Sequence, residues 1–219
     1  MSYRFIVKTD CPIAWDSPDH LNPHGTKNDN HTSYAFIADI ETAHTCRPLH
    51  FMDLGCAGGL LVHDMLRRGH IAIGLEGSDY SIQHQRAEWP SLHQKNLFTC
   101  DIGKSYDVIL ECNEEASPYQ CDVITAWEVT EHIHPDCQVQ FFENIRNHLK
   151  IGGHFYASIG LFPDVVRGIN LHQSVFPKEK WDEILSSISG LKRIPYPYPP
   201  NHAVCDEPKT SILVALERV

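Results

Sequence analysis

Among the eight cysteines, at positions 11, 46, 56, 100, 112, 121, 137 and 205, no Cys-x-x-Cys pair occurs. That excludes the common thiolate metal knuckle and redox motif. The scatter instead suits small apolar core residues in a reducing compartment. No stretch approaches the ~20 apolar residues of a membrane-spanning helix. The apolar run in Met1-Ser-Tyr-Arg-Phe-Ile-Val-Lys8 is too short for a signal peptide. A cytoplasmic location without a membrane partner is the resulting expectation. Positive charge is scarce, with 18 Lys and Arg against 28 Asp and Glu and a net charge of −10. Basic residues meet only as Arg67-Arg68 and Lys192-Arg193 and build no stripe. Double-stranded nucleic acid is therefore not an expected partner, while a short single strand stays open. Internal repeats, low-complexity tracts and a histidine-rich run are absent, although histidine itself is plentiful. What remains is the composition of one globular domain over residues 1–219.

The most informative segment is Leu49-His-Phe-Met-Asp-Leu-Gly-Cys-Ala-Gly-Gly59. An apolar run ends at Asp53, passes through a glycine-rich turn and opens the helical pattern Leu60-Leu-Val-His-Asp-Met-Leu66. A second run, Ile71-Ala-Ile-Gly-Leu-Glu76, ends in another carboxylate. This is a βαβ unit. Its turn leaves backbone N–H groups at a helix start for a ligand, and Glu76 is placed to accept from a ribose diol. A dinucleotide turn wants G-x-G-x-x-G, but the three positions hold Gly55, Ala57 and Leu60, which opposes an NAD oxidoreductase. No Lys-Ser/Thr pair follows, so a P-loop is excluded.

The pattern D-x-G-x-A-G-G, closed by Glu76 on the next strand, resembles motif I and its acidic partner in class I S-adenosylmethionine (SAM) methyltransferases. The resemblance implies a Rossmann-like α/β three-layer sandwich. Its seven-stranded sheet is mostly parallel, with an antiparallel last strand. It implies SAM as cofactor, with Asp53, Gly55, Cys56, Ala57, Gly58 and Gly59 around the methionine part and Glu76, Gly77 and Ser78 around the ribose. Asp101 and Ile102, after Leu97-Phe-Thr-Cys100, would hold the adenine. Trp127 and Glu128 would face the methyl group.

Along the chain, residues 10–33 are rich in Pro, Asn, Asp, Gly and His and read as a loop or lid. Asn30, Thr32 or Ser33 is a candidate cap for the amphipathic helix Tyr34–Thr42. A helix over 79–89 is expected to end near Pro90. Residues 103–120 read as an inserted hairpin, and Cys121–Trp127 as a strand buried on both faces. A helix from Pro135 to Lys150, with Val139, Phe142, Ile145 and Leu149 inward, should stop at Ile151-Gly-Gly153 before a strand at 154–159. A loop at 161–176, a helix at 177–187 and strands at 191–194 and 211–216 complete the pattern.

After the fourth core strand stands Trp127-Glu-Val-Thr-Glu-His-Ile-His134. Glu128, Glu131 and His132 fall at i, i+3 and i+4, on one face if the chain turns helically there. Two carboxylates and an imidazole suit Mg²⁺ or Mn²⁺. The E-x-x-E-H spacing resembles the metal-binding segment of small-RNA 2′-O-methyltransferases, and also ubiquinone-biosynthesis O-methyltransferases. In the RNA group a further histidine completes the site, and His172 holds the matching position. Metal-free catalysis with His132 as base, alone or with Glu131, is the equal alternative. His134 reads as a surface residue. The expected reaction is methyl transfer to a hydroxyl of a small molecule such as a sugar or phenol. N- or C-methylation using His132, and a non-catalytic SAM-binding regulatory module, are the rivals.

Overall fold

A computed structural model describes residues 3–23, 32–44, 47–203 and 210–219. Asn30, Cys46 and Cys205, and parts of the 10–33 and 195–208 loops, lie outside the described residues. The strands are β1 (Tyr3–Thr9), β2 (His50–Leu54), β3 (Ile71–Glu76), β4 (Leu97–Thr99), β5 (Tyr106–Cys112), β6 (Glu115–Pro118), β7 (Cys121–Trp127), β8 (Leu149–Gly160), β9 (Val165–Val166), β10 (Ile169–Asn170), β11 (Leu191–Ile194) and β12 (Ser211–Arg218). The helices are α1 (Pro18–Leu21), α2 (Tyr34–Ala43), α3 (Leu60–Arg67), α4 (Tyr80–Gln83), α5 (Trp89–Leu92), α6 (Gln138–His148) and α7 (Lys178–Ser187).

Seven strands form the main sheet in the order β11-β12-β8-β7-β2-β3-β4. β2, β3, β4, β7 and β8 run parallel, and β12 inserts antiparallel between β8 and β11. The strands are apolar on both faces, which fits a sheet covered on both sides. Phe51, Ala72, Val123, Tyr156 and Ala215 pack into one cluster with α2 and α3. Met52, Ile73, Ile124, Phe155 and Val214, each adjacent in sequence to its counterpart, pack into the other with α6 and α7. This alternation is the period of two that separates the layers. Ser33 caps α2, its hydroxyl accepting from Phe36 N at 3.2 Å.

Several elements differ from expectation for identifiable reasons. The helix expected over 79–89 is two short pieces, because Gln85 and Ala87 adopt left-handed backbone (φ 48° and 45°). Pro90 sits in the first turn of α5, where its missing N–H costs nothing, instead of ending a helix. The strand expected from 154 begins at Leu149, which pairs with Cys121. A register shift follows between Cys121 and Val123, so Ile151-Gly-Gly153 lies within β8. Val139 is exposed, and Phe141 fills the core in its place. β9 and β10 form a small hairpin inside the expected 161–176 loop.

The apolar residues at the start of the chain form β1, which pairs antiparallel with β5 from Tyr3↔Cys112 to Thr9↔Tyr106. β5 also pairs with β6, giving a separate three-stranded sheet. His148 ties this sheet to α6. Its Nδ1 donates to Asn144 O (2.8 Å) and its Nε2 accepts from Val108 N (3.2 Å).

Candidate active site

The carboxyl ends of the parallel strands open on one cavity of about 520 Å³. Open α/β sheets place ligands at this edge, and the volume is that of an ordinary small-molecule site. Asp53, Gly55, Cys56, Ala57 and Gly58 line it after β2, and Glu76 and Gly77 after β3. Asp101 and Ile102 line it after β4, and Trp127, Glu128 and His132 after β7. Gly59 and Ser78 stand behind this wall. Gly59 has φ +86°, and a Cβ there would lie 2.4 Å from Leu97 Cδ1, so its place is close packing of α3 on β4.

The N–H groups of the turn are less free than the sequence suggests. Gly55 N and Cys56 N both donate to Leu75 O, at 2.8 and 3.2 Å, because β3 runs on beside the turn. Ala57 N donates to Glu76 Oε2 (2.8 Å), and Ser78 N to Glu76 Oε1 (3.1 Å). Glu76 therefore braces the turn, and each oxygen keeps a lone pair for a further donor. Ala57 sits in the left-handed region at φ 45°. Its carbonyl accepts from Trp89 Nε1 (2.7 Å), which locks the bend.

Asp53 is buried beneath the turn and accepts from Thr125 Oγ1 at 2.7 Å. Burial pushes both Asp53 and Glu76 up to about 7, and the charge of Asp19 adds to the effect at Glu76. Burial also raises Asp101, whose Oδ1 accepts from Gly103 N (3.0 Å). A raised carboxyl holds a proton in the folded chain that the unfolded chain has released. Its contribution to stability is therefore largest at low pH and is lost as pH rises toward the folded pKa. Relative to the parent, Asp53→Asn should gain about 2 kcal/mol of stability between pH 5 and pH 8. Denaturant unfolding across that range checks this, and a pH-independent difference would refute it.

The segment after β7 is not an α-helical turn. Glu128 has φ 52°, and Thr130–His132 forms a single 3₁₀ turn. Glu131, His132 and His172 nevertheless converge, each offering a ligand atom within 4.8 Å of the others. Glu128 lies outside that trio, but its carboxylate faces the same point. A Cβ on Gly160 would stand 2.8 Å from Glu131 Oε1, 3.1 Å from His172 Cε1 and 3.3 Å from Glu128 Oε2. Only glycine at the end of β8 leaves this room.

His172 Nδ1 donates to Phe162 O (2.6 Å), which leaves Nε2 as the acceptor nitrogen. Glu131 Oε1 accepts from Gly160 N (2.6 Å) and Glu128 Oε2 from Ser211 Oγ (3.1 Å). Glu131 is fully buried, and no donor reaches its Oε2; His132 Nδ1 is also buried without a partner. Burial, then the neighbouring Glu128 charge, drives the Glu131 carboxyl well above the usual range. Burial lowers His132, and the charge of Asp19 partly opposes this.

The sequence missed part of this site. Ala14, Asp16, Ser17 and Asp19 line the cavity from a strap between β1 and α2. The strap is pinned by Asp101 N to Cys11 O (2.9 Å) and Ala14 N to Gly77 O (2.9 Å). The Asp16-Ser-Pro-Asp19 run was its only sequence signal. Lys104, Asp136, Cys137 and Gln173 were missed as well, and His134, although exposed, reaches the cavity mouth.

A family model described as a methyltransferase domain matches residues 52–155. The ubiquinone biosynthesis O-methyltransferase of Vibrio cholerae is 26% identical over 147 residues, 66% of this chain and 54% of that protein. The protein of the same name from Neisseria meningitidis is 38% identical over 86 residues, 39% of this chain and 33% of its own. The chain thus spans about half the length, or less, of these curated relatives. A S-adenosylmethionine-dependent methyltransferase from Clostridium acetobutylicum superposes with a TM-score of 0.61 at 16% identity, covering 91% of this chain and 95% of that one. The Burkholderia thailandensis 1,6-didemethyltoxoflavin-N1-methyltransferase, solved with bound S-adenosylhomocysteine, gives a TM-score of 0.55 at 17% identity over 92% and 84%. These two solved structures share the fold. The matched segment runs from β2 into β8 and carries the carboxylates set at successive strand ends, so over residues 52–155 the chain matches a methyltransferase domain and is similar to SAM-dependent methyltransferases.

Proposed function

We propose that this protein, as a single domain over residues 1–219, transfers a methyl group from SAM to a hydroxyl of a small molecule, assisted by a divalent cation. The observation that carries the reading is the convergence of four strand ends on one cavity, with Glu128 and His132 in its wall and Glu131 and His172 buried behind His132. SAM suits the cavity in volume and in charge, since its sulfonium and ammonium meet Asp53, Glu76 and Asp101. Residues 55–59 would hold its methionine part, Glu76, Gly77 and Ser78 its ribose, and Asp101 and Ile102 its adenine. Bound there, it supplies an electrophilic methyl.

The cluster fits Mg²⁺ or Mn²⁺ for a different reason. Glu131 Oε2 and His132 Nδ1 are buried without a donor or acceptor in hydrogen-bond geometry among the described residues, and the Glu128 and Glu131 carboxylates face each other. Such an arrangement is costly without a cation or a proton between the carboxylates. A cation held by these residues would lower the pKa of an acceptor hydroxyl. The chain's own work is alignment and exclusion of water, with the Asp16–Asp19 strap roofing the cavity and Trp127 walling it. Burial keeps His132 neutral, so it also serves as proton acceptor at a ring nitrogen. The ubiquinone-biosynthesis relatives make a hydroxyl the acceptor of choice.

Two measurements test this. Calorimetry with S-adenosylhomocysteine and with NAD should show binding of the first alone. Methyl transfer to a panel of catechols and sugars should fall about 100-fold or more in EDTA and in His172→Ala, and recover in EDTA-treated parent on adding Mn²⁺. Transfer indifferent to both would leave His132 as a metal-free base and remove the cation.

A further inference from the structure

Among the described residues that line the cavity, carboxylates far outnumber cations. The four carboxylates at the strand ends, Asp53, Glu76, Asp101 and Glu128, are joined at the rim by Asp16, Asp19 and Asp136. Among the described lining residues no arginine occurs, and Lys104 is the one lysine. Its ammonium is directed at Cys137 Sγ, 3.5 Å away. Behind Glu128, the fully buried Glu131 carboxyl is held protonated by burial and by the Glu128 charge, so it brings no cation to offset that charge. Asp19 reaches furthest, for its charge is felt at Glu76 on one side and at His132 on the other. Asp19, Glu76 and His132 line the same cavity.

We infer that this cavity selects its acceptor by charge: the methylated molecule is neutral or cationic, and acceptors bearing a carboxylate or phosphate are rejected. The inference rests on the methyl-transfer reading and adds the class of acceptor to it. SAM carries one net positive charge and a divalent cation two more, and the lining carboxylates outnumber them together. A buried or half-enclosed field of one sign is screened little by salt and is focused by the apolar walls. An anionic acceptor would lose its hydration, and the described lining offers it no arginine and one lysine in exchange. Asp19, half-buried in the strap, is the specificity-determining residue, while Asp16 and Asp136 line the same cavity from exposed positions and add less.

The field can be read without knowing the acceptor. SAM and sinefungin carry a positive centre where S-adenosylhomocysteine has a neutral thioether. In EDTA, calorimetry on the full chain should show both cations binding about tenfold or more tighter than S-adenosylhomocysteine. The gap should shrink in the double variant Asp16→Asn, Asp19→Asn. Equal or tighter binding of S-adenosylhomocysteine by the parent overturns the inference while leaving methyl transfer intact. Failure of all three to bind removes the methyl-transfer reading and the inference with it. A matched ladder on the protein loaded with S-adenosylhomocysteine adds the acceptor itself: 3,4-dihydroxyphenethylamine and 4-methylcatechol should bind at least tenfold tighter than 3,4-dihydroxyphenylacetate. An acetate member that binds as well as the other two overturns the proposal.

Discussion

Glu131→Gln should make the protein more stable and catalytically inert. Glu131 is fully buried, its Oε1 already accepts from Gly160 N, and its other oxygen meets no donor. The Glu128 carboxylate bears on it from the same side. A glutamine keeps the acceptor for Gly160, removes the buried acid and presents an N–H to Glu128. Relief of an unsatisfied, like-charged contact amounts to about 1–3 kcal/mol. In a chain of this size the midpoint of thermal unfolding rises by roughly 2–4 °C per kcal/mol. The same change removes an anionic oxygen from the Glu131/His132/His172 group. Methyl transfer should drop by at least about 100-fold, and added Mn²⁺ should no longer raise the melting temperature. Thermal unfolding with and without Mn²⁺, beside a transfer assay, checks both signs. A less stable variant, or an active one, would show that Glu131 serves structure alone.

Gly55→Ala should cost both stability and cofactor affinity. Gly55 lies at φ +68°, and an added Cβ would stand 2.4 Å from Val129 Cγ2 and 3.1 Å from Val129 Cγ1. Left-handed strain costs about 1 kcal/mol and forced overpacking about 1–3 kcal/mol. Val129 joins Glu128 to the Thr130–His132 turn, so moving it disturbs the cavity wall and the Glu/His cluster together. Binding of S-adenosylhomocysteine should weaken about tenfold to 100-fold, roughly 1.4–2.8 kcal/mol. Gly69→Ala is the control. Gly69 has φ +87° with nothing within 4 Å of an added Cβ, so strain acts there alone and affinity should hold. Adding Val129→Ala to Gly55→Ala should restore part of the loss. No recovery would mean that the collision is not the cause.

Much of the frame was legible because its signals are local. Apolar runs ending in Asp53 and Glu76, with a small-residue turn between them, specify a βαβ unit wherever they occur. The antiparallel last strand followed from two strands without an intervening helix. The cavity's strand-end residues came with the frame, since each sits where a parallel strand stops.

What escaped depends on distant partners. Nothing in Tyr3–Thr9 announces that its partner strand begins at Tyr106, so β1 went unseen and the 106–118 hairpin lacked its third strand. The Asp16–Asp19 strap could be read as polar loop, but only its anchoring to Gly77 and Asp101 sets it above the cavity. The E-x-x-E-H spacing suggested an α-helical face. The left-handed Glu128 and the 3₁₀ turn reach the same convergence by another backbone path, because Gly160 and His172 meet it from β8 and the segment beyond. Of the expected α6 stripe, Phe142, Ile145 and Leu149 are buried and Val139 alone is exposed, because the buried face runs through Gln138, Phe141 and His148 and leaves Val139 beyond its edge.

The union of β1 with β5 also dictates an order of events during synthesis. Arg4 and Glu111, joined across these strands, stand 107 residues apart. β1 must wait, unpaired, until more than 100 further residues have been made. Closing so long a loop is slow, and an unpaired edge invites mispairing in the interval. The strap hangs from that strand, so the roof over the cofactor cleft is set later than the glycine turn beneath it. A nascent chain would thus own its glycine turn well before it could retain a nucleoside.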